Sequence, residues 1–211
     1  KQTIFTGYEN YEEKNCKVLQ IIKDNRNIQF LNEKETAYII LDKTCFYGEA
    51  GGQIGDTGVF ENEKFVGEVM NTLRINDIFL HKVKVKKGVI NKGNIINVRV
   101  NYDRRRAIMR NHTGTHLLQA ALRKLLGPHI EQAGSYVGDD RLRFDFTHFS
   151  PLSYSDLKKI EKTINKWIFD NMDVNVKVMS VIDAKKEGAL AFFEEKYGEK
   201  VRVVSINNIS K

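Results

Sequence analysis

Cysteine is scarce here. Cys16 and Cys45 are the only two in 211 residues. Two are too few for a disulfide framework, so a reducing, cytoplasmic setting is expected. No run approaches the ~18 apolar residues that read as a membrane helix, so no membrane partner is expected. No signal-peptide pattern is present, and the chain opens on Lys1 without a Met, which suggests an excised piece or a processed product. Internal repeats, low-complexity tracts and a flexible linker are also missing. What is present is 41% hydrophobic residues, enough for a real core, and 29% charged residues. The length suits one large domain or two small ones.

The net charge is +7, with a pI of about 9.3. The basic residues are spread along the chain. They include Lys82, Lys84, Lys86 and Lys87, Arg104 to Arg106 with Arg110, Arg123 with Lys124, and Lys158, Lys159, Lys162 and Lys166. Such charge serves either as a solvated face or as an attraction for a polyanion. Charge alone does not choose between RNA and DNA.

The first hundred residues read as short strands between turns. Candidates are Lys17–Ile22, Ala37–Leu41, Val59–Phe60, Lys64–Val66, Ile78–Val83 and Ile95–Val100, a spacing that suggests a small β-barrel. The character changes near residue 101. Asp103 to Leu126 reads as one long helix, with Asn101 or Asp103 as N-cap and Gly127-Pro128 as its stop. Gln132–Val137 and Arg141–Phe149 form a hairpin around Gly138-Asp139-Asp140. Ser155 is expected to cap a second helix with an apolar stripe of Leu157, Ile160, Ile164 and Trp167-Ile168. Val174–Val181 reads as a strand, Asp183 to about Tyr197 as a helix ending at Gly198, and Val201–Ile206 as the last strand. The expected fold is α+β: a β-barrel subdomain over 1–100, then an α+β core over 101–211 with helices packed on an antiparallel sheet.

Two stretches bear on chemistry. His112 and His116 stand four apart on the long helix, so their Cβ atoms lie roughly 5–6 Å apart on one face. Both imidazoles could reach one zinc ion at about 2.0–2.1 Å, or they could be packed core residues or a wet surface pair. A zinc-protease motif needs Glu after the first His, and Thr113 stands there, which excludes that chemistry. The second stretch holds Gly51, Gly52, Gly55 and Gly58 within eight residues. No Gly-Lys-Ser/Thr follows, so it is not a P-loop, and strands rather than a helix follow, so it is not a dinucleotide fingerprint. It is either a tight turn at a barrel rim or a backbone wall against a small substrate.

Together the residues resemble the editing domain of alanyl-tRNA synthetase and the free-standing proteins that share it. Five stretches carry the likeness. They are Phe5-Thr6-Gly7-Tyr8-Glu9, Phe46 to Gly58, Arg110-Asn111-His112-Thr113-Gly114-Thr115-His116-Leu117-Leu118, Gln132-Ala133-Gly134-Ser135 with Leu142-Arg143-Phe144-Asp145-Phe146, and Glu194 to Ser205. They span nearly the whole chain in the expected order. The opening Phe-Thr-Gly-Tyr-Glu resembles the synthetase-embedded form more than the free-standing one.

The resemblance implies hydrolysis of the ester that joins a wrongly attached serine or glycine to the alanine tRNA. It implies Zn2+ held by His112 and His116 together with a later Cys-x-x-x-His. That second pair is absent from this sequence, which ends at Lys211 near where it should begin. The fragment is therefore expected to bind zinc weakly or not at all, and to be impaired as a catalyst alone. Gln132 is implied beside the site, orienting substrate or water, and Thr113 and Thr115 are implied to add hydroxyls. Gly51, Gly52 and Gln53 would shape a pocket for small amino acids. Arg104, Arg105 and Arg110 would meet acceptor-stem phosphates of tRNA(Ala). The expected further partner is the aminoacylation domain of the same polypeptide. Competing readings are a non-catalytic tRNA-binding module, a free-standing deacylase, and a generic zinc hydrolase of small esters or amides.

Overall fold

The computed structural model describes residues 2–186, 200–207 and 209. The chain forms two compact units, Lys1–Asn111 with Tyr136–Arg141, and His112–Ser135 with Leu142–Lys211. Each has a hydrophobic core of its own. Among the described residues, no helix is long and apolar enough to cross a membrane.

The first unit contains β1 (Ile4–Phe5), β2 (Glu12–Lys23), β3 (Arg26–Ile28), β4 (Phe30–Leu31), β5 (Thr36–Leu41), β6 (Lys43–Thr44), β7 (Gly58–Asn62), β8 (Phe65–Ile75), β9 (Ile78–Lys87), β10 (Ile90–Asn91) and β11 (Ile95–Val100). The order β11-β7-β8-β9-β5-β2 closes on itself because β11 also pairs with β2. The result is a six-stranded antiparallel barrel. Closure removes the exposed strand edges that would invite aggregation. Register shifts at Ile96/Val98, Val18/Gln20 and Val69/Asn71 are the local bends that help short strands curl.

Alternation explains the interior. Along β11, Ile96, Val98 and Val100 are buried while Ile95, Asn97 and Arg99 face out. Phe46, Phe60 and Phe65 fill the centre with Ile39, Val83 and Val85. The barrel expected from the sequence is present. The reading of Lys64–Val66 missed most of β8, because Gly67, Asn71, Thr72 and Arg74 interrupt its apolar pattern.

Helix α1 (Tyr102–Leu126) contributes its first ten residues to the first unit and the rest to the second. Asn101 Oδ1 accepts from the Arg104 amide at 3.1 Å, so Asn101 is the cap. Gly127, at φ 122°, ends the helix in a conformation that disfavours other residues. The hairpin of β12 (Gln132–Val137) and β13 (Leu142–Phe146) follows. Next comes α2 (Tyr154–Phe169), whose cap is Ser153 and not Ser155. Asp156 stands three residues after Ser153, and the two side chains satisfy each other's backbone amides as a capping box. Ser155 has no such partner in sequence.

Strands β14 (Val174–Ser180) and β15 (Lys200–Ile206) pair antiparallel from Val174↔Ile206 to Ser180↔Lys200. Helix α3 (Val181–Lys186) starts at Ser180, whose hydroxyl accepts from the Asp183 amide at 3.0 Å. The expected continuation of this helix to Tyr197 and Gly198, and the Glu194–Glu199 stretch, lie outside the described residues. The second core joins Leu117 and Leu122 of α1, Phe144 of β13, Ile160 and Trp167 of α2, and Ile206 of β15.

Candidate functional site

Helical spacing puts His112 and His116 on one stripe of α1. Their rings are parallel within 8°, with centroids 5.2 Å apart. Both are half-buried. Burial, reinforced by the neighbouring His116 and by Arg202, pushes the His112 pKa down to about 4. Burial also lowers that of His116. Both imidazoles are therefore neutral at pH 7, the form that ligates a metal. The donor chemistry fits two of the four positions of a zinc shell. Among the described residues, no group of three or more His, Cys, Asp or Glu side chains converges on a metal-sized site.

Of the hydroxyls flanking the pair, Thr115 is buried and Thr113 is half-buried. Gln132 opens β12 in the same unit, and its amide donates to the Ser135 hydroxyl at 2.9 Å. Thus the histidines are brought together, and Gln132 is oriented by its own strand.

The glycine-rich stretch belongs to the first unit. Ala50 and Gln53 exchange backbone hydrogen bonds at 3.2 and 3.0 Å around Gly51 and Gly52. These two glycines have φ 60° and 82°, the paired left-handed conformation of a tight two-residue turn. Gly51 and Gly52 are exposed, and Gln53 is buried. Val137 accepts from the Ile54 amide at 3.1 Å and donates to the Gly52 carbonyl at 2.8 Å. Gly55 serves packing: a Cβ there would meet the Thr72 carbonyl and, at 2.7 Å, Asn71 Oδ1.

The arginines separate by role. Arg105, expected on a phosphate face, is only 5% exposed. Its Nε reaches both carboxylate oxygens of Asp56 at 2.8 Å, Nη1 donates to the Gly7 carbonyl at 2.8 Å and Nη2 to the Cys45 carbonyl at 2.9 Å. Each guanidinium nitrogen is used inside the unit. Arg104 donates to the Gly55 carbonyl at 2.8 Å and lies 3.5 Å from Asp139. Arg110 is exposed, as is Arg106, whose guanidinium stacks over Tyr102 at 5.6 Å from the ring centre.

Three residues escaped the reading of the sequence. Asp56 is a buried partner, although a lone Asp among glycines signals a turn. Asn111 donates to the Gly138 carbonyl at 2.9 Å. Gln119 is buried on α1, and no local pattern marks it.

Residues 1–104 match the family model described as tRNA synthetases class II (A). The alanine–tRNA ligase of Thermoanaerobacter sp. (strain X514) is 44% identical over 209 residues, covering 99% of this chain and 24% of the ligase. The alanine–tRNA ligase of Wolbachia pipientis wMel is also 44% identical over 209 residues, covering 98% of the chain and 24% of the ligase. That of Thermotoga petrophila is 43% identical over 211 residues, covering 100% of the chain and 24% of the ligase. Essentially the whole chain is thus a relative of one segment, about a quarter, of the alanine–tRNA ligases.

Proposed function

We propose that this chain is the editing part of an alanine–tRNA ligase and hydrolyses the ester joining a misattached serine or glycine to tRNA(Ala). The observation that carries this reading is the neutral, parallel His112–His116 pair on α1. It stands in a chain whose relatives are named alanine–tRNA ligases. On this reading the second unit is an editing core.

His112 and His116 would hold zinc, with further ligands from outside the described residues. When bound, the metal supplies a Lewis acid for water or an anchor for the substrate's amino group. In the reaction the bond between the acyl carbon and a ribose oxygen of the terminal adenosine breaks. Water adds its hydroxyl to the acyl carbon and its proton goes to the ribose. Gln132, held by Ser135, orients substrate or water. Thr115 and Thr113 add hydroxyls beside the histidines. Within the first unit, Gly51 and Gly52 present an exposed turn free of side chains, anchored by the buried Gln53. Arg110, together with Arg106, meets RNA phosphates, while Arg104 and Arg105 shape the unit that presents them.

The test is zinc content by elemental analysis and deacylation of serine-charged alanine tRNA, in the full-length gene product and in His112→Gln/His116→Gln. The double variant should lose both zinc and turnover while keeping its circular dichroism. Tight RNA binding with no turnover in the parent protein would instead make it a non-catalytic module. Hydrolysis of small esters without tRNA would make it a generic hydrolase.

A further inference from the structure

Gln119 is 4% exposed, and its amide nitrogen has no hydrogen-bond partner among the described residues. It is the one buried side-chain nitrogen or oxygen so placed among the described residues. Buried polar groups are nearly always paired, because an unmet donor costs roughly 1–3 kcal/mol. An orphan in an otherwise satisfied interior therefore calls for an explanation.

Its position supplies one. Residues 112, 116 and 119 are related by steps of four and three, which place them on one stripe of a helix. Helical side chains tilt toward the N-terminus, so Gln119 leans back over the turn that carries His116. On the same helix Leu117, Ala121 and Leu122 are buried and apolar, so they offer the amide no acceptor.

Resting on the editing reading above, we propose that Gln119 is a specificity residue that pairs with the side-chain hydroxyl of a seryl ester. The chemistry follows from the difference between serine and alanine, which is one hydroxyl. A serine oxygen entering the site satisfies the amide. Alanine puts a methyl group there and leaves the donor unmet. A site with a waiting polar group rejects the analogue that lacks its partner far better than an apolar pocket sorts by size. The hydroxyl can both donate and accept, so it pairs with either end of the amide. Gln119 thus acts in substrate selection, separately from the metal-holding pair and from Gln132.

The experiment uses the full-length gene product and its Gln119→Met and Gln119→Leu variants. Deacylation is measured on seryl-, glycyl- and alanyl-tRNA, with thermal unfolding alongside. The variants should lose about 10- to 100-fold in kcat/KM on the seryl ester, the size of one lost hydrogen bond in a buried site. Glycyl hydrolysis should stay within about twofold, since glycine presents no hydroxyl to the amide. Tm should be unchanged or higher, because an unmet buried donor has been removed. Seryl and glycyl rates falling together, neither rate changing, or a lower Tm in both variants would each overturn the assignment. Those outcomes leave the editing reading standing. A wild-type protein that hydrolyses none of the three esters overturns both.

Discussion

The guanidinium of Arg105 and the carboxylate of Asp56 form a sealed ion pair, 5% and 1% exposed respectively. The pair joins segments far apart in sequence. Asp56 also accepts from the Tyr47 amide at 2.7 Å, while Arg105 reaches the Gly7 and Cys45 carbonyls. The start of the chain, the Cys45–Tyr47 segment, the glycine-rich loop and α1 therefore meet at one fork of donors. Arginine suits this place because its planar fork satisfies several acceptors in fixed directions.

Breaking that pair should be severe. Removing one partner of a buried ion pair leaves an uncompensated charge and costs roughly 3–5 kcal/mol. Arg105→Met and Asp56→Asn are each expected to lower the free energy of unfolding by that amount, read as a lower urea midpoint at an unchanged m-value. The double variant should be less destabilised than the two losses summed, because no lone charge remains. Simple additivity in a double-mutant cycle would mean that the two side chains stabilise the unit separately.

The loop glycines should differ in kind. Gly51, at φ 60°, has nothing within 4 Å of a would-be Cβ. Gly51→Ala therefore costs only the left-handed backbone, about 1–2 kcal/mol. Gly55→Ala drives a methyl group into the backbone of β8 and should cost roughly 1–3 kcal/mol from overpacking, with a shifted strand. Amide hydrogen exchange in Asn71 and Thr72 should rise for Gly55→Ala and not for Gly51→Ala. The reverse pattern would remove the packing role given to Gly55.

His81 makes stability depend on pH. It is fully buried inside the barrel, and desolvation pushes its pKa from 6.5 down to about 4. Its Nδ1 faces the Ile39 carbonyl at 2.9 Å and so carries the hydrogen, while Nε2 meets the Thr44 hydroxyl at 2.9 Å. The unfolded chain takes up a proton first as pH falls. This contribution is therefore whole above pH 6.5, declines as pH drops toward 4, and levels off below that. The full swing is roughly 3 kcal/mol. Urea unfolding of wild type should show it, on top of the same-signed effect of His112 and His116. His81→Leu should be weaker at pH 7 yet flatter with pH by roughly 2–3 kcal/mol. An unchanged slope would mean that His81 does not set it.

The barrel and the long helix were legible because their signals are local. Alternation writes itself into β11, and Asn101 and Gly127 mark the ends of α1 within a few residues. The histidine pair was legible for the same reason, being one helical turn apart. The Ser153 cap was misplaced by two residues, since several polar residues there compete and only the spacing to Asp156 decides. The partner of Arg105 was not legible, because Asp56 lies 49 residues away and its pairing depends on barrel closure. A run of three arginines looks uniform in sequence. The helix turns each by about 100°, so one faces the core and another solvent.

That rotation makes the RNA expectation selective. Arg106 and Arg110 are four apart, so they share one exposed face of α1. Each phosphate contact releases condensed counterions and adds about one to the slope of log affinity against log salt. Arg106→Glu with Arg110→Glu should therefore weaken tRNA binding and flatten the slope by about two. Folding should be little changed, since both side chains are solvated. Replacing Arg105 would also abolish binding, but through unfolding, which a melting curve separates from lost contact. If the double reversal leaves affinity and slope as they were, the exposed pair is a solvated face and takes no part in the proposed contact with RNA.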